Sequence, residues 1–449
     1  MSPSESEGNP DGVVEREIPP VDLPRRNAVV ALMGSRNFSA LWLGQLLSQT
    51  GDRFRFVAVL VIVNELTGGD PLAITLLTFT VVVPQFIFGL LGGAVSDRVD
   101  RKTVMIISDV LRGLLVLPVV LVDTPDRLWI IYVGSIGLEI ISVFFYPARN
   151  ATIPNIVGPG QLMQANALMQ GSYIVALILG AVLAGYLTEW LGTDFAIIFD
   201  GVTFFMSATA IALMTIPPVA AAINGERPTV GELWQEIKAG LHFIRGRNDL
   251  VTVLIVTAVA MLGLGSIFVL GISYLETRLN VQAGGYGNTM ASVGVGLLVG
   301  GLLVSRIAGR VPANVLVGSS LIVVGLAMVA FAGAGSFTVV VFAAVIIGVC
   351  VVVAKASLDT FTQALVPDEM MGRVQATVQM TLAVSTALAQ GLAGILAKLL
   401  NSVENVFILA GCITIVAGVA AILSLREAAR EMAESELVRN PQRVRAGEK

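Results

Sequence analysis

Twelve times along this chain an apolar stretch runs for about 20 residues, the length an α-helix needs to cross a hydrocarbon core of about 30 Å. The stretches lie near 38–66, 72–95, 103–122, 128–147, 166–188, 194–216, 250–275, 286–308, 312–334, 337–360, 375–400 and 404–425. In lipid each segment must satisfy its own backbone polar groups, so every stretch is predicted to be a helix. Only 13% of the 449 residues are charged, where soluble domains carry roughly 25%, and the mean hydropathy is +0.82. The 46 glycines suit helices whose backbones approach closely in lipid. The expected fold class is an all-α membrane protein, with twelve transmembrane helices in two pseudo-symmetric six-helix bundles.

Lys and Arg between the spans set the orientation. With the N-terminus inside, the cytosolic segments collect Arg25, Arg26, Arg36, Arg98, Arg101, Lys102, Arg149, Arg227, Lys238, Arg245, Arg247, Arg306, Arg310, Arg373, Arg426 and Arg430. The opposite face has Arg127, Arg278 and Lys398. The expectation is a multi-pass protein of the cell membrane with both termini cytoplasmic.

Residues 1–36 are rich in Ser, Glu, Asp and Pro and read as a disordered cytosolic tail, with Arg25 and Arg26 as anchoring charges rather than an export signal. The first bundle is expected over 37–216, a cytosolic linker over 217–249, the second bundle over 250–426, and a C-terminal tail over 427–449. Within the linker, Leu233, Ile237, Leu241 and Ile244 recur at helical spacing, which predicts an amphipathic helix over 230–244 on the cytosolic membrane surface. A weak repeat supports two halves. Pro154 after the fourth span and Pro367 after the tenth are each followed by a Gln-Ala pair, Gln164-Ala165 and Gln375-Ala376, opening the next span.

Several function classes are excluded on chemistry. A formal charge of -4 without an aromatic-studded basic surface gives nucleic acid no footing. Cys350 and Cys412 both fall inside apolar segments, and the single histidine, His242, lies in the linker. No metal site, cofactor or catalytic triad is expected from such a set, and no P-loop string offers ATP drive.

Between the second and third spans stands the string Gly92, Gly93, Ala94, Val95, Ser96, Asp97, Arg98, Val99, Asp100, Arg101, Lys102. Physically it is a tight cytosolic turn in which Asp97 can cap or pair at a helix end. The string resembles the loop signature of the major facilitator superfamily: glycine, three residues, aspartate, arginine, one residue, usually glycine, then two basic residues. Gly93, Asp97, Arg98, Arg101 and Lys102 match it, while Asp100 replaces the usual glycine and looks like the branch of macrolide-type and siderophore-type exporters. Asp109, Arg112, Pro147, Ala148, Pro154, Asp200, Pro367, Gly372 and Arg373 resemble that branch too. The resemblance implies that Gly93, Asp97, Arg98, Arg101, Lys102, Asp109 and Arg112 form a cytosolic gate that latches the two halves. In the fifth span Gly180 and Gly185 keep the glycines of the antiporter pattern without its proline.

A charge at the bilayer centre costs about 2.5–3.5 kcal/mol on insertion scales, so intramembrane ionisable residues are the functional candidates. In the first span Gln45, Ser48, Gln49, Asp52, Arg55 and Phe56 share one helical face. Asp52 and Arg55 are one turn apart and can pair, whereas Arg53 points away toward a neighbouring helix. Glu139 is central in the fourth span. The resemblance implies that Asp52, Arg55 and Glu139 border one central cavity. Two readings stand for these groups: proton coupling, with Asp52 or Glu139 alternating between protonated and charged, and permanent ion pairs that fix packing.

Lys355 and Asp359 in the tenth span read as a structural or gating pair ahead of a substrate site, and Asp200 as a capping or interfacial residue ahead of a coupling one. Gln375, Gln379 and Gln390 in the eleventh span are candidates for substrate contact or interhelical glue. The expected function is a monomeric secondary transporter, with protons as coupling ion and small amphiphilic molecules (drug-, siderophore- or lipid-like) as exported substrate. Gradient-driven uptake is the main alternative, and a channel or membrane receptor a further one.

Overall fold

The computed structural model describes residues 25–96, 100–158, 161–215, 230–307, 310–427 and 429–430. Every regular element among them is helical. The first half comprises α1 (Arg25–Gly34), α2 (Arg36–Leu66), α3 (Pro71–Ser96), α4 (Arg101–Val116), α5 (Leu128–Ile156), α6 (Leu162–Leu191) and α7 (Thr193–Ala212). Then come α8 (Val230–Arg245), α9 (Asn248–Leu279), α10 (Ala283–Ile307), α11 (Ala313–Ala332), α12 (Phe337–Leu365), α13 (Asp368–Leu399) and α14 (Val403–Ser424). Among the described residues, ten helices are long and apolar enough to cross a membrane. The two remaining long ones are α2, with Asp52, Arg53 and Arg55 at its middle, and α3, which counts as a shorter apolar helix over Pro71–Gln85.

Helix pairing repeats between the halves. In the first, α2 packs on α6 and α7, α3 on α5, and α4 on α5 and α7; in the second, α9 packs on α13 and α14, α10 on α12, and α11 on α12 and α14. The second set is the first moved on by six spans, the pattern of a duplicated unit. The halves meet through α3 on α13 and α6 on α10, two contacts that exchange under the same shift. At the α6–α10 crossing a Cβ on Gly185 would lie 2.8 Å from the Ala283 carbonyl oxygen, so only glycine admits this approach.

The hydrophobic core shows which end is closed. One cluster runs through both halves on the side distal to the chain ends, joining Phe54, Leu60, Ile74, Ala184, Leu270, Tyr274, Tyr286 and Phe407. Toward the ends it divides into two separate clusters, one around Phe38, Leu41, Met105 and Phe145, the other around Leu250, Leu321, Phe361 and Val374. Polar bonds reinforce the closed side: Asn64 Nδ2 donates to Glu276, Asn288 Nδ2 to the Tyr186 hydroxyl at 2.8 Å, and the Gly284 N–H to Glu189 at 3.1 Å. Lys398 and Asp70 pair at 3.1 Å across the α3–α13 contact. An exposed pair contributes about 0.2–1 kcal/mol, so Asp70→Lys is expected to shift the conformational ratio by up to about fivefold toward the distally open state. Electron-spin distances between labels at Thr67 and Asn401 would report the shift, and adding Lys398→Asp should reverse it.

Two sequence expectations need correction. Residues 25–34, assigned to a disordered tail, form α1, because Leu32 is fully buried against Phe38 and Leu41 and Ser35 caps the following helix. The linker helix forms as α8, but it docks: Ile244 is buried in the second half and Gly240 lies against the backbone of Arg373 on α13. The N-cap of α4 is Asp100, whose carboxylate accepts from the Thr103 N–H at 2.9 Å and the Thr103 hydroxyl at 2.7 Å. The Thr103 hydroxyl bond holds that carboxyl below the usual range.

Candidate functional site

The most concentrated intramembrane charge lies where α2 meets α7. Gly51 brings the two helices close, since a Cβ there would stand 2.7 Å from Asp200 Oδ1. Arg55, one turn further along α2, then bridges two carboxylates: its Nη2 bonds Asp52 at 3.2 Å and its Nε lies 3.1 Å from Asp200 on α7. The Asp200 contact is electrostatic, because Nε and both Asp200 oxygens make no hydrogen bond of acceptable angle. Asp200 is completely buried, while the Asp52 and Arg55 side chains keep 19% and 15% of their surface exposed. Asp200 is therefore no capping or interfacial residue. It lies two turns into α7, and its position along the span concealed that it faces α2.

Glu139 on α5 is half-buried, accepts from Gln85 Nε2 on α3 at 3.3 Å, and lies within electrostatic reach of Arg55. Arg55 also lines a cavity of about 130 Å³ between the halves, walled by Phe56, Val59, Leu60, Leu77, Thr78, Val81 and Ser135 on one side and Phe268, Val269 and Gln390 on the other. The Gln390 side-chain oxygen is buried without a hydrogen-bond partner. Of the three glutamines singled out on this helix, Gln390 is the one that reaches the cavity wall.

Other candidates fall elsewhere. Gln45 accepts from Arg149 Nη1 at 3.1 Å, and the Gln49 oxygen is buried without a partner. Lys355 and Asp359 pair at 2.8 Å beside a second cavity of about 80 Å³, enclosed by α9, α11, α12 and α13. Asp97 and Arg98 lie outside the described residues, as does the side-chain environment of Gly93. The gate residues that are described turn inward on the first half. Arg101 donates to the Ala151 carbonyl at 2.9 Å, and Lys102 to the Ala212 and Met214 carbonyls at 2.7 Å, satisfying the end of α7. Asp109 and Arg112 pair in the interior, with the guanidinium 4.1 Å from the Phe145 ring centre and 4.7 Å from that of Phe204. Among the described residues the partners of these four all lie in the first bundle, on the same side as the helices α5 and α7 that α4 packs against. Among the described residues no cluster of three or more His, Cys, Asp or Glu could hold a metal ion.

The family model of the Major Facilitator Superfamily matches residues 41–390 and again 253–446. The chain belongs to the major facilitator superfamily. The MFS-type transporter YfiS of Bacillus subtilis (strain 168), itself uncharacterized, is 26% identical over 226 residues, 50% of this chain and 53% of that protein. Macrolide efflux protein A of Streptococcus pyogenes is 23% identical over 274 residues, 60% of this chain and 65% of that one. The chain thus spans about half to two-thirds of the relatives it matches. A bacterial homolog to the human lysosomal transporter Spinster, in inward-facing and unoccupied conformation, has a TM-score of 0.67 at 14% identity, over 88% of this chain and 98% of that one. At that identity the likeness shows the superfamily fold alone.

On that fold, the residue that a polar stripe could not place is Arg53. It stands two residues from the middle of α2, with its guanidinium 5.8 Å from the Tyr173 ring centre on α6. Among the described residues it forms no ion pair or hydrogen bond. A cation–π contact contributes about 0.5–1 kcal/mol where exposed and about 2 kcal/mol or more where desolvated. At 5.8 Å this one is near the outer limit of such contacts, against the about 2.5–3.5 kcal/mol that a mid-membrane arginine costs.

Proposed function

We propose that this chain is a secondary transporter of the cell membrane, with both termini cytoplasmic, that exports small amphiphilic molecules by proton-coupled alternating access. One observation carries the reading: a single guanidinium, Arg55, is shared by two carboxylates from different helices at the wall of a cavity between the halves. With both acids ionised, that trio has an excess negative charge, and Glu139 adds another within reach. Excess charge in a low-dielectric interior is costly, and one proton removes it. Asp52 is the acid that a proton can reach from outside the bundle, because its side chain keeps part of its surface exposed while Asp200 is sealed.

Protonation releases Asp52 from Arg55 and leaves the Arg55–Asp200 pair holding α2 to α7. The balance between cavity-open states then responds to pH, as population shift requires a differential interaction. The apolar cavity wall, with Phe56 and Phe268 partly exposed on opposite halves, suits an amphiphile. The Macrolide efflux protein A relative favours export over uptake. The loop from Gly93 to Lys102 retains its role as the cytosolic gate in this reading, with Arg101 and Lys102 anchoring its base.

Inverted vesicles with an imposed pH gradient test the reading, using uptake of labelled drugs, lysolipids and siderophores. Asp52→Asn is expected to lower gradient-driven accumulation by about tenfold, about 1.4 kcal/mol, and Glu139→Gln by less. Should both variants keep the native pH dependence, the coupling assignment fails. Absence of gradient-driven flux for every compound class would remove the transporter reading itself.

A further inference from the structure

We infer that Arg53 is an anion-recognition residue of the transport path, so that the exported amphiphile presents a carboxylate or comparable anionic group. The inference rests on the proposed transport reading and adds the charge of the substrate. Arg53 differs from the other arginines inside the first bundle. Arg55 has two carboxylates, Arg112 has Asp109, and Arg149 has the Gln45 and Asn150 side chains. Arg53 packs its stem on Gly180 and its guanidinium over the Tyr173 ring, and among the described residues it has no carboxylate and no hydrogen-bond acceptor. A cation–π contact leaves the donors in the guanidinium plane free, which is the geometry that takes a carboxylate through two parallel bonds.

The surroundings place this cation on a path and not in sealed packing. On the distal side α6 and α10 are in contact as far inward as Ile178 against Gly294. Tyr173 stands five residues inward of Ile178, its side chain exposed, and nothing lies within 4 Å of where a Cβ on Gly171 or Gly301 would sit. Arg53 thus rests its stem on Gly180 at the closed side and reaches with its guanidinium inward to Tyr173, at the edge of the gap where the halves part. Gln49, one turn earlier on α2 and at the edge of the polar stripe nearest Arg53, has its side-chain oxygen buried and unpartnered. Turned by half a rotation, that carboxamide donates a hydrogen bond from the same place. Phe56, one turn later, is a wall of the central cavity, so the body of an amphiphile whose head rests on Arg53 is directed into it.

Binding measured at equilibrium, without any gradient, separates this inference from proton coupling. The full chain in nanodiscs is titrated with octanoate, octanol and octylammonium, which share a tail and differ in head group, with ligand-observed saturation-transfer NMR as readout. Octanoate is expected to bind at least about tenfold tighter than the other two. Arg53→Gln should erase that preference while leaving octanol unchanged, and Arg53→Lys, which keeps the charge without the planar fork, should retain part of it. Should Arg53→Gln not fold, the Lys variant reads the same preference. Equal octanoate binding by parent and variant, or preference for octylammonium, overturns the inference. If octanoate binding depends on Arg53 but no flux follows a pH gradient, recognition stands and the coupling reading falls; proton-driven flux with octanoate indifferent to Arg53 gives the reverse.

Discussion

Replacing Arg112 with methionine is expected to remove most of the folded protein. Asp109 is wholly buried and Arg112 nearly so, and one Asp109 oxygen already lacks a hydrogen-bond partner. Taking away the guanidinium leaves a fully buried carboxylate in the bundle interior without its counter-charge. Breaking a buried pair from one side costs about 3–5 kcal/mol, a large part of the about 5–15 kcal/mol that holds a typical domain together. The stacking of Arg112 between Phe145 and Phe204 is lost as well. Fluorescence-detected size exclusion and thermal unfolding in detergent should show a broadened, low-melting species. The double variant Asp109→Leu with Arg112→Met removes both charges at similar volume and should recover most of the monodisperse protein. A single variant as stable as the parent would contradict this account. Flux through the recovered double variant then separates a packing pair from a gate: native flux means packing.

Much of the architecture was legible because lipid leaves the backbone few choices. Apolar length placed the long helices among the described residues, with ends displaced where a proline or polar residue imitated a boundary. The fourth span was expected to stop at 147, yet α5 continues to Ile156 through Pro147 and Pro154, since a missing N–H does not end a helix packed on its neighbours. The third span keeps its length by a different device: α-helix gives way to a 3₁₀ segment, Leu117–Leu121, at Pro118.

The site was legible only along each helix. Periodicity put Asp52 and Arg55 on one face of α2, and they do pair. It could not say that Asp200, 145 positions from Arg55, faces the same guanidinium, because the rotation of α7 about its axis is decided by what packs against Gly51. Arg53 was set aside for pointing off the stripe, and only the gap between α6 and α10 gives that direction meaning. The Asp109 and Arg112 positions carried a family expectation of a latch, but the pairing of α4 with α5 and α7 directs both into the first bundle.

Asp200→Asn is expected to flatten the pH dependence of transport while leaving the protein folded. Arg55 then faces Asp52 alone, one charge against one, and the excess that a proton would relieve is gone from the trio. The asparagine keeps the volume and an oxygen beside Arg55 Nε, so helix packing across Gly51 is preserved and thermal stability should stay close to that of the parent. Gradient-driven accumulation should fall by about tenfold, while gradient-free exchange of substrate continues. Arg55→Gln makes the opposite change and leaves two carboxylates without a cation, one of them fully buried, so both folding yield and flux should collapse. Combining the two substitutions returns the trio to a single acid, Asp52, and should recover folding but not coupling. If Asp200→Asn keeps the steep native pH profile that Asp52→Asn loses, Asp200 is only an anchor for Arg55 and the proton belongs to Asp52 independently of the shared guanidinium.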